Sequence, residues 1–184
     1  MSYRSIDPSE MPGLHPVAQI RDRWHDLADG AGIAPWSRFD PLDYPSVLPW
    51  VLLLRQEDPA APDRLRYTIC GDGCRQTFGF SFQGKVFGED LPSDAVAQRL
   101  AEFKAVRAGR GPIYSFTPLP VSDRDFIDVY RGVFGFTVDG RNVDRFLVVL
   151  APDNVRVQTR CPPPRATRDE APERLGRPRA RSEA

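Results

Sequence analysis

The sequence predicts an α+β domain built on an antiparallel sheet, with one further helix on its N-terminal side. Three observations support this class. Five short segments have strand character, two of them before and three after a helical middle region. A helical periodicity precedes the first strand. Strands do not alternate with long helices along the chain, as they would in a parallel sheet made of βαβ units.

The first predicted element is a helix within residues 13–31. Apolar residues recur at the spacing of one helical face, at Val17, Ile20, Trp24 and Leu27. Pro16 suits the first helical turn, and Gly30 is a suitable stop. The apolar face has two interpretations: it docks a partner or a second copy of the chain, or it packs as a cap on the domain's own sheet. Residues 1–12 are predicted to be irregular.

Five segments are predicted as strands, and they cover residues 50–56, 64–70, 113–119, 127–138 and 143–150. The first two are expected to pair as an antiparallel hairpin, because only a short break with two prolines separates them. Asp139-Gly140 predicts a tight turn between the last two strands. The fourth strand is long and contains Gly132, which predicts a bulge or bend.

The middle of the chain is predicted to be helical in two places. Residues 74–78 suit a single short helical turn, which the following glycines interrupt. A longer helix starts near Ser93, the candidate N-cap, and ends at Gly109. Its predicted apolar face consists of Val96, Leu100 and Phe103.

Residues 160–184 stand apart from the predicted domain, which covers residues 32–159. This segment holds seven arginines and four acidic residues but only one large aliphatic, Leu175. Such a composition predicts a disordered Arg/Pro-rich tail. The tail is either a docking arm for an acidic partner or nucleic acid, or a solvated extension without a role.

Composition and charge exclude several classes of protein. Basic and acidic residues both number 25, so the net charge of zero disfavours a nucleic-acid binder except through the tail. No apolar run approaches the roughly 20 residues of a membrane helix, and the first residues lack a signal-peptide pattern. We therefore expect a cytoplasmic protein with no membrane partner. The excess of arginine over lysine suggests a bacterial source with a GC-rich genome.

Metal and acid–base chemistry receive little support from the sequence. Cys70 and Cys74 are interrupted by glycines, and the remaining candidates for a four-ligand zinc site are Cys161, His15 and His25. We interpret the cysteines as small hydrophobic residues. Acidic residues near position 125 lie in a predicted loop with nothing to position a partner. We predict no catalytic residue, no metal and no cofactor.

Arg131 is a polar residue inside an apolar strand pattern. If its side chain faces the interior, it requires a carboxylate partner or an anionic ligand. If it faces outward, it is an ordinary residue of the sheet surface, and this orientation is the one the pattern favours.

The order of two strands, a helical middle and three strands resembles a PAS domain. Short motifs extend the resemblance to the small bacterial single-domain PAS sensor proteins over residues 14–152. These motifs are Trp24, Ser37-Arg38-Phe39-Asp40-Pro41, Leu48-Pro49-Trp50, Tyr67-Thr68-Ile69-Cys70-Gly71, Phe78-Gly79 and Gly84-Lys85. The resemblance implies a five-stranded antiparallel sheet with helices over one face. It also implies that partners dock on the outer face of the sheet or through the N-terminal helix.

The resemblance places any ligand between the sheet and its helices. The candidates for lining such a pocket are Tyr67, Phe80, Phe82, Phe87, Phe103, Tyr114 and Phe116. Tyr67 and Tyr114 would supply polar contacts to a small apolar ligand. The alternative is a filled core, which most aromatic residues serve to build.

The functional expectation is a sensory or regulatory module in signal transduction. It acts in trans through contacts with a signalling protein or with itself as a homodimer, with or without a small apolar ligand. Two alternatives remain: a small cone-shaped α+β enzyme of the isomerase or dehydratase type, and a structural adaptor with a filled core and no ligand.

Overall fold

A sheet of seven strands organises the part of the chain that the structure, a computed structural model, describes: residues 3–28, 32–109, 111–121 and 124–158. The strands are β1 Arg4–Ser5, β2 Ala34–Pro35, β3 Val51–Asp58, β4 Ala61–Cys70, β5 Ile113–Pro118, β6 Asp128–Thr137 and β7 Arg145–Pro152. The α-helices are α1 Pro16–Ala28, α2 Asp72–Phe78 and α3 Ser93–Gly109. Single 3-10 turns lie at Pro8–Glu10, Trp36–Arg38, Pro41–Asp43 and Leu48–Trp50.

The strands follow the order β1-β5-β6-β7-β3-β4, and β2 lies parallel beside the end of β6. The leading hairpin β3–β4 and the trailing meander β5–β6–β7 join where β3 runs antiparallel to β7, with Val51 opposite Val149. The first and last long strands are therefore neighbours, and both groups of strands share one interior. The predicted α+β class and the antiparallel sheet are confirmed.

The sheet has two more strands than the five predicted. Both are two residues long, too short to carry any periodic signal. β1 pairs with β5, with Arg4 opposite Phe116, so the N-terminal segment is not wholly irregular. Asp7 and Glu10 then form a reciprocal capping box around the turn that follows.

Of the bulge or bend predicted near Gly132, the bulge is wrong, because β6 pairs with β7 in unbroken register through this residue. Gly132 serves a different purpose. A Cβ atom there would lie 2.6 Å from Cγ1 of Val17 and 2.7 Å from the ring of Phe134. The missing side chain lets α1 approach the sheet closely.

α1 covers the outer face of the sheet, opposite α2 and α3. Its four predicted interface residues are buried against the chain's own core, and they are Val17, Ile20, Trp24 and Leu27. The Trp24 indole donates a hydrogen bond of 2.8 Å to the carbonyl of Gly135 in β6. The apolar face of α1 is thus engaged as a cap on its own sheet, and it is not a free docking surface in this fold.

α3 packs on the inner face with a different side from the one predicted. Phe103 is buried as expected, whereas Val96 and Leu100 are only partly buried. The inward positions include two charged residues, Arg99 and Glu102. The prediction fails because it selects the apolar residues as the buried ones, and here the interior contains charges.

Three sequence predictions lie outside the described residues: the helix stop at Gly30, the tail at 160–184 and Cys161. Among the residues that are described, no helix has the length and apolar character needed to cross a membrane.

His15 closes the N-terminus of α1 with a buried, uncharged ring. The backbone N–H of Val17 donates to Nδ1 at 3.3 Å, so the ring proton sits on Nε2, which faces the carbonyl oxygen of Pro152 at 3.2 Å. Burial lowers the pKa of His15 to about 4 from an ordinary value of 6.5.

Stability is expected to fall as the pH drops from 6.5 to 4. In this window the unfolded chain takes up a proton on His15, whereas the folded protein does not. The shift corresponds to a loss of about 3 kcal/mol in the free energy of unfolding. Urea unfolding across this pH range measures it. His15→Asn keeps an acceptor for Val17 and cannot titrate, so its profile should be flatter, and equal slopes for both proteins would contradict the assignment.

Candidate functional site

A cavity lies on the inner face of the sheet, between β3, β4, β6 and β7 on one side and α3 on the other. The connection from α2 to α3, residues 79–92, closes it laterally. Its volume is about 40 Å³, and aliphatic side chains of the sheet line its floor: Leu52, Leu54, Val129, Val148 and Leu150. The strand alternation produces this floor, because every second residue of each strand faces the same side.

Four of the seven predicted pocket residues line this cavity, namely Tyr67, Phe82, Phe87 and Phe103. Their rings contact each other in pairs. The ring centroids of Tyr67 and Phe82 are 4.9 Å apart, and those of Phe87 and Phe103 are 5.2 Å apart. Burial raises the pKa of Tyr67, so its hydroxyl is neutral and is available as a hydrogen-bond donor.

Tyr114 and Phe116 are not part of the cavity. They occupy the other face of β5, where Tyr114 is buried under α1 and its ring lies 5.9 Å from that of Phe134. The alternation along β5 directs Ser115 and Thr117 toward α3 instead. The prediction is therefore wrong for these two residues. The Tyr114 hydroxyl is buried with no hydrogen-bond partner among the described residues.

Phe80 lies beside the cavity without lining it. Its ring centroid is 4.8 Å from that of Phe82, and Lys85 Nζ lies 5.4 Å from the same Phe80 centroid. Phe80 therefore supports an aromatic residue of the wall and does not face the space itself.

A buried network of charges adjoins the apolar lining. Arg99 and Arg131 both line the cavity, and Glu102 lies between them. The guanidinium of Arg131 donates to one carboxylate oxygen of Glu102, and Arg99 Nη1 donates to the other at 3.2 Å. The favoured outward orientation of Arg131 is wrong: its side chain faces the interior and has the carboxylate partner that this orientation requires.

Polar side chains of β5 and the N-terminus extend the network. Thr117 Oγ1 accepts a hydrogen bond of 3.2 Å from Arg99, and Ser115 Oγ lies 3.4 Å from Glu102 Oε1. The guanidinium carbon of Arg99 lies 5.5 Å from the ring centroid of Tyr3. Burial, and then the charge of Glu102, raise the pKa of Tyr3. The N-terminal segment is thus in contact with the charged end of the cavity.

Arg99 carries the clearest electrostatic signature of the site. Burial, followed by repulsion from Arg131, lowers the pKa of Arg99 from 12.5 to about 10. Arg99 remains positively charged at neutral pH, in an environment that disfavours the charge. Sequence reasoning misses this residue because it assigns the apolar positions of α3 to the interior.

The cysteines lie at the end of β4 and in α2. Cys74 is fully buried, and burial raises the pKa of its thiol, whereas Cys70 is half-buried. Neither forms a disulfide within the described residues. That same part of the chain contains no group of three or more His, Cys, Asp or Glu side chains placed to hold a metal ion.

The cavity is small compared with the roughly 300–1,000 Å³ of pockets for drug-sized ligands. Its volume of about 40 Å³ leaves room for a few non-hydrogen atoms. The predicted aromatic residues therefore leave only a limited space, which lies next to the two arginines. Chemically, this arrangement can enclose the apolar part of a small molecule and bind a polar group at one end.

No protein-family model matches the chain, and a search of curated proteins returns no significant match. The residues around the cavity are therefore the basis for inferring a function.

Proposed function

We propose that this chain is a PAS-type sensory or regulatory module that binds a small ligand between its sheet and α3 and acts through protein contacts. The observation that carries the proposal is the position of the cavity. The leading hairpin, the trailing meander and the helical segment inserted between them all contribute to its walls. A ligand there lies between these three parts, so its presence can alter how they pack on one another.

The docking surface follows from the position of α1. Because α1 covers the outer face of the sheet, a partner that docks on this side meets the exposed side of the helix. That side carries polar and acidic residues, among them Asp22, His25 and Asp26. We therefore expect a polar contact with a signalling partner rather than an apolar interface through Trp24.

Native mass spectrometry of freshly purified protein tests the ligand. A retained small molecule is expected, and Val148→Ile should reduce its occupancy, because the added methylene fills part of the cavity floor. Val149→Ile is the matched control, since this neighbour packs on the α1 side of the sheet. A bare protein mass in all three spectra would instead favour the structural adaptor.

The small-enzyme hypothesis lacks comparable support. Both histidines belong to the α1 side: His15 is buried there, and His25 is exposed on the helix. The carboxylate of Glu102 is engaged by two arginines, so both of its oxygens already accept hydrogen bonds. The cavity therefore offers a place to bind a molecule rather than an acid–base pair to transform it.

A further inference from the structure

The charge inside the cavity wall is not balanced. Arg99 and Arg131 are each 7% exposed and Glu102 is 4% exposed, so the carboxylate neutralises one of the two guanidinium groups. Among the described residues, one positive charge of this network therefore remains without a counter-ion. A buried charge without a counter-ion is strongly unfavourable, and proteins usually avoid it or give it an anion.

The two arginines also have hydrogen-bonding capacity to spare. A guanidinium has five N–H donors. Among the described residues, Arg131 donates from its side chain to Glu102, and Arg99 donates to Glu102 and Thr117. Because both side chains line the cavity, an acceptor placed in that space can bind donors from either of them.

The other residues of the cavity wall limit the kind of ligand that can carry this acceptor. Apart from the arginines, the wall is mainly aliphatic and aromatic, so the remainder of the ligand is apolar. The single unbalanced charge matches a monoanion better than a phosphate, which brings close to two negative charges at neutral pH. The volume of about 40 Å³ favours a short molecule.

We propose that the ligand is a small monocarboxylic acid with an apolar body, and that Arg99 and Arg131 together bind its carboxylate. This inference rests on the proposed function and adds the chemical class of the ligand. The carboxylate completes a four-charge network of alternating sign, and the apolar body lies on the sheet floor against Leu54 and Val148. A planar carboxylate suits the bidentate geometry of a guanidinium.

The test compares acids with their uncharged counterparts. Acetate, butyrate and hexanoate, and the primary amide of each, are titrated into the full chain at neutral pH by calorimetry. We expect the best-fitting acid to bind at least about tenfold more tightly than its amide, as a charge-assisted contact supplies. The Nε–H signals of Arg99 and Arg131 in NMR spectra should shift further with the acid than with the amide.

Two arginine-to-methionine variants test whether the acid binds in the cavity. Arg99→Met should lower the affinity for the acid by about tenfold or more and the affinity for the amide by a smaller factor, because the amide loses a hydrogen bond but no charge pair. Arg107→Met is the matched control: Arg107 is also on α3 but donates to the carbonyls of Pro62 in β4 and of Val143 instead of lining the cavity. If Arg99→Met fails to fold, the proposal is tested by the ratio of the affinities for acid and amide, measured on the unmodified protein.

The outcomes separate this inference from the proposed function. Equal binding of acid and amide would overturn the carboxylate assignment and leave a ligand-binding module. The same conclusion follows if none of the six compounds binds while the native mass spectrum contains a retained molecule. A bare mass together with no binding would overturn both.

Discussion

Replacing Glu102 with glutamine is expected to lower the free energy of unfolding by about 3–5 kcal/mol. The substitution preserves the size of the side chain and removes the one carboxylate of the buried network. Arg99 and Arg131 would then carry two positive charges in the interior with no counter-ion between them. Losing one partner of a buried ion pair is costly because the other partner stays desolvated.

Chemical denaturation of the variant and of a neutral triple variant provides the measurement. In Arg99→Met/Glu102→Gln/Arg131→Met the network carries no charge, and we expect stability within about 1 kcal/mol of the original protein, or above it. A Glu102→Gln protein that loses less than about 1 kcal/mol would show that the charges are solvated. The triple variant should also lose the preference for carboxylic acids over amides, since both arginines are absent.

The stabilities of Glu102→Gln and of the triple variant together show whether the fold requires the buried network. Hydrophobic residues of similar volume can usually replace a buried charge network without loss of stability. If the neutral triple variant is as stable as the original protein, the fold does not require Arg99, Glu102 and Arg131. The position of the two arginines in the cavity wall is then best explained by what they bind.

The positions of the strands were the most predictable part of this fold, whereas the helix that each strand face contacts could not be predicted. Each of the five predicted strands lies within three residues of the observed one at both ends, because short runs of apolar and β-branched residues bounded by turn residues indicate strands. Alternation alone does not say which face meets which helix. Tyr114 and Phe116 are apolar enough for either face, and α1 covers theirs.

The charged residues of the site could not be predicted from the sequence, for a different reason. Sequence patterns identify a buried helix face by its apolar residues, and that rule selects Val96 and Leu100 over Arg99 and Glu102. The rule fails where charges on separate elements neutralise each other, as Arg131 of β6 does with Glu102 of α3. The position of Arg131 within an apolar strand was the one sequence feature that indicated a buried charge. Its orientation can be interpreted only once its contact with Glu102 is known.

Gly71, which directly follows β4, is expected to be as important for stability as any core residue. A Cβ atom at Gly71 would lie 2.3 Å from the carbonyl oxygen of Leu48 and 2.4 Å from that of Pro49. Two of the sequence motifs, Leu48-Pro49-Trp50 and the segment ending at Gly71, therefore meet backbone to backbone. The contact is held by the N–H of Gly71, which donates to the carbonyl of Val51 at 2.8 Å.

Gly71→Ala should accordingly destabilise the protein by about 3 kcal/mol or more, because backbone atoms cannot move aside as a flexible side chain can. Gly71 has a φ of −64°, which any residue adopts, so the effect is due to contact alone and not to backbone strain. Gly109→Ala is the matched control: nothing lies within 4 Å of its Cβ position, and alanine in α3 should be neutral or stabilise by up to about 1 kcal/mol. Thermal and urea unfolding of both variants measure the difference. A Gly71→Ala protein as stable as the Gly109→Ala control would mean that the β4 end and the Leu48–Trp50 turn are not in contact in solution, and the enclosure of the cavity by the hairpin would have to be reconsidered.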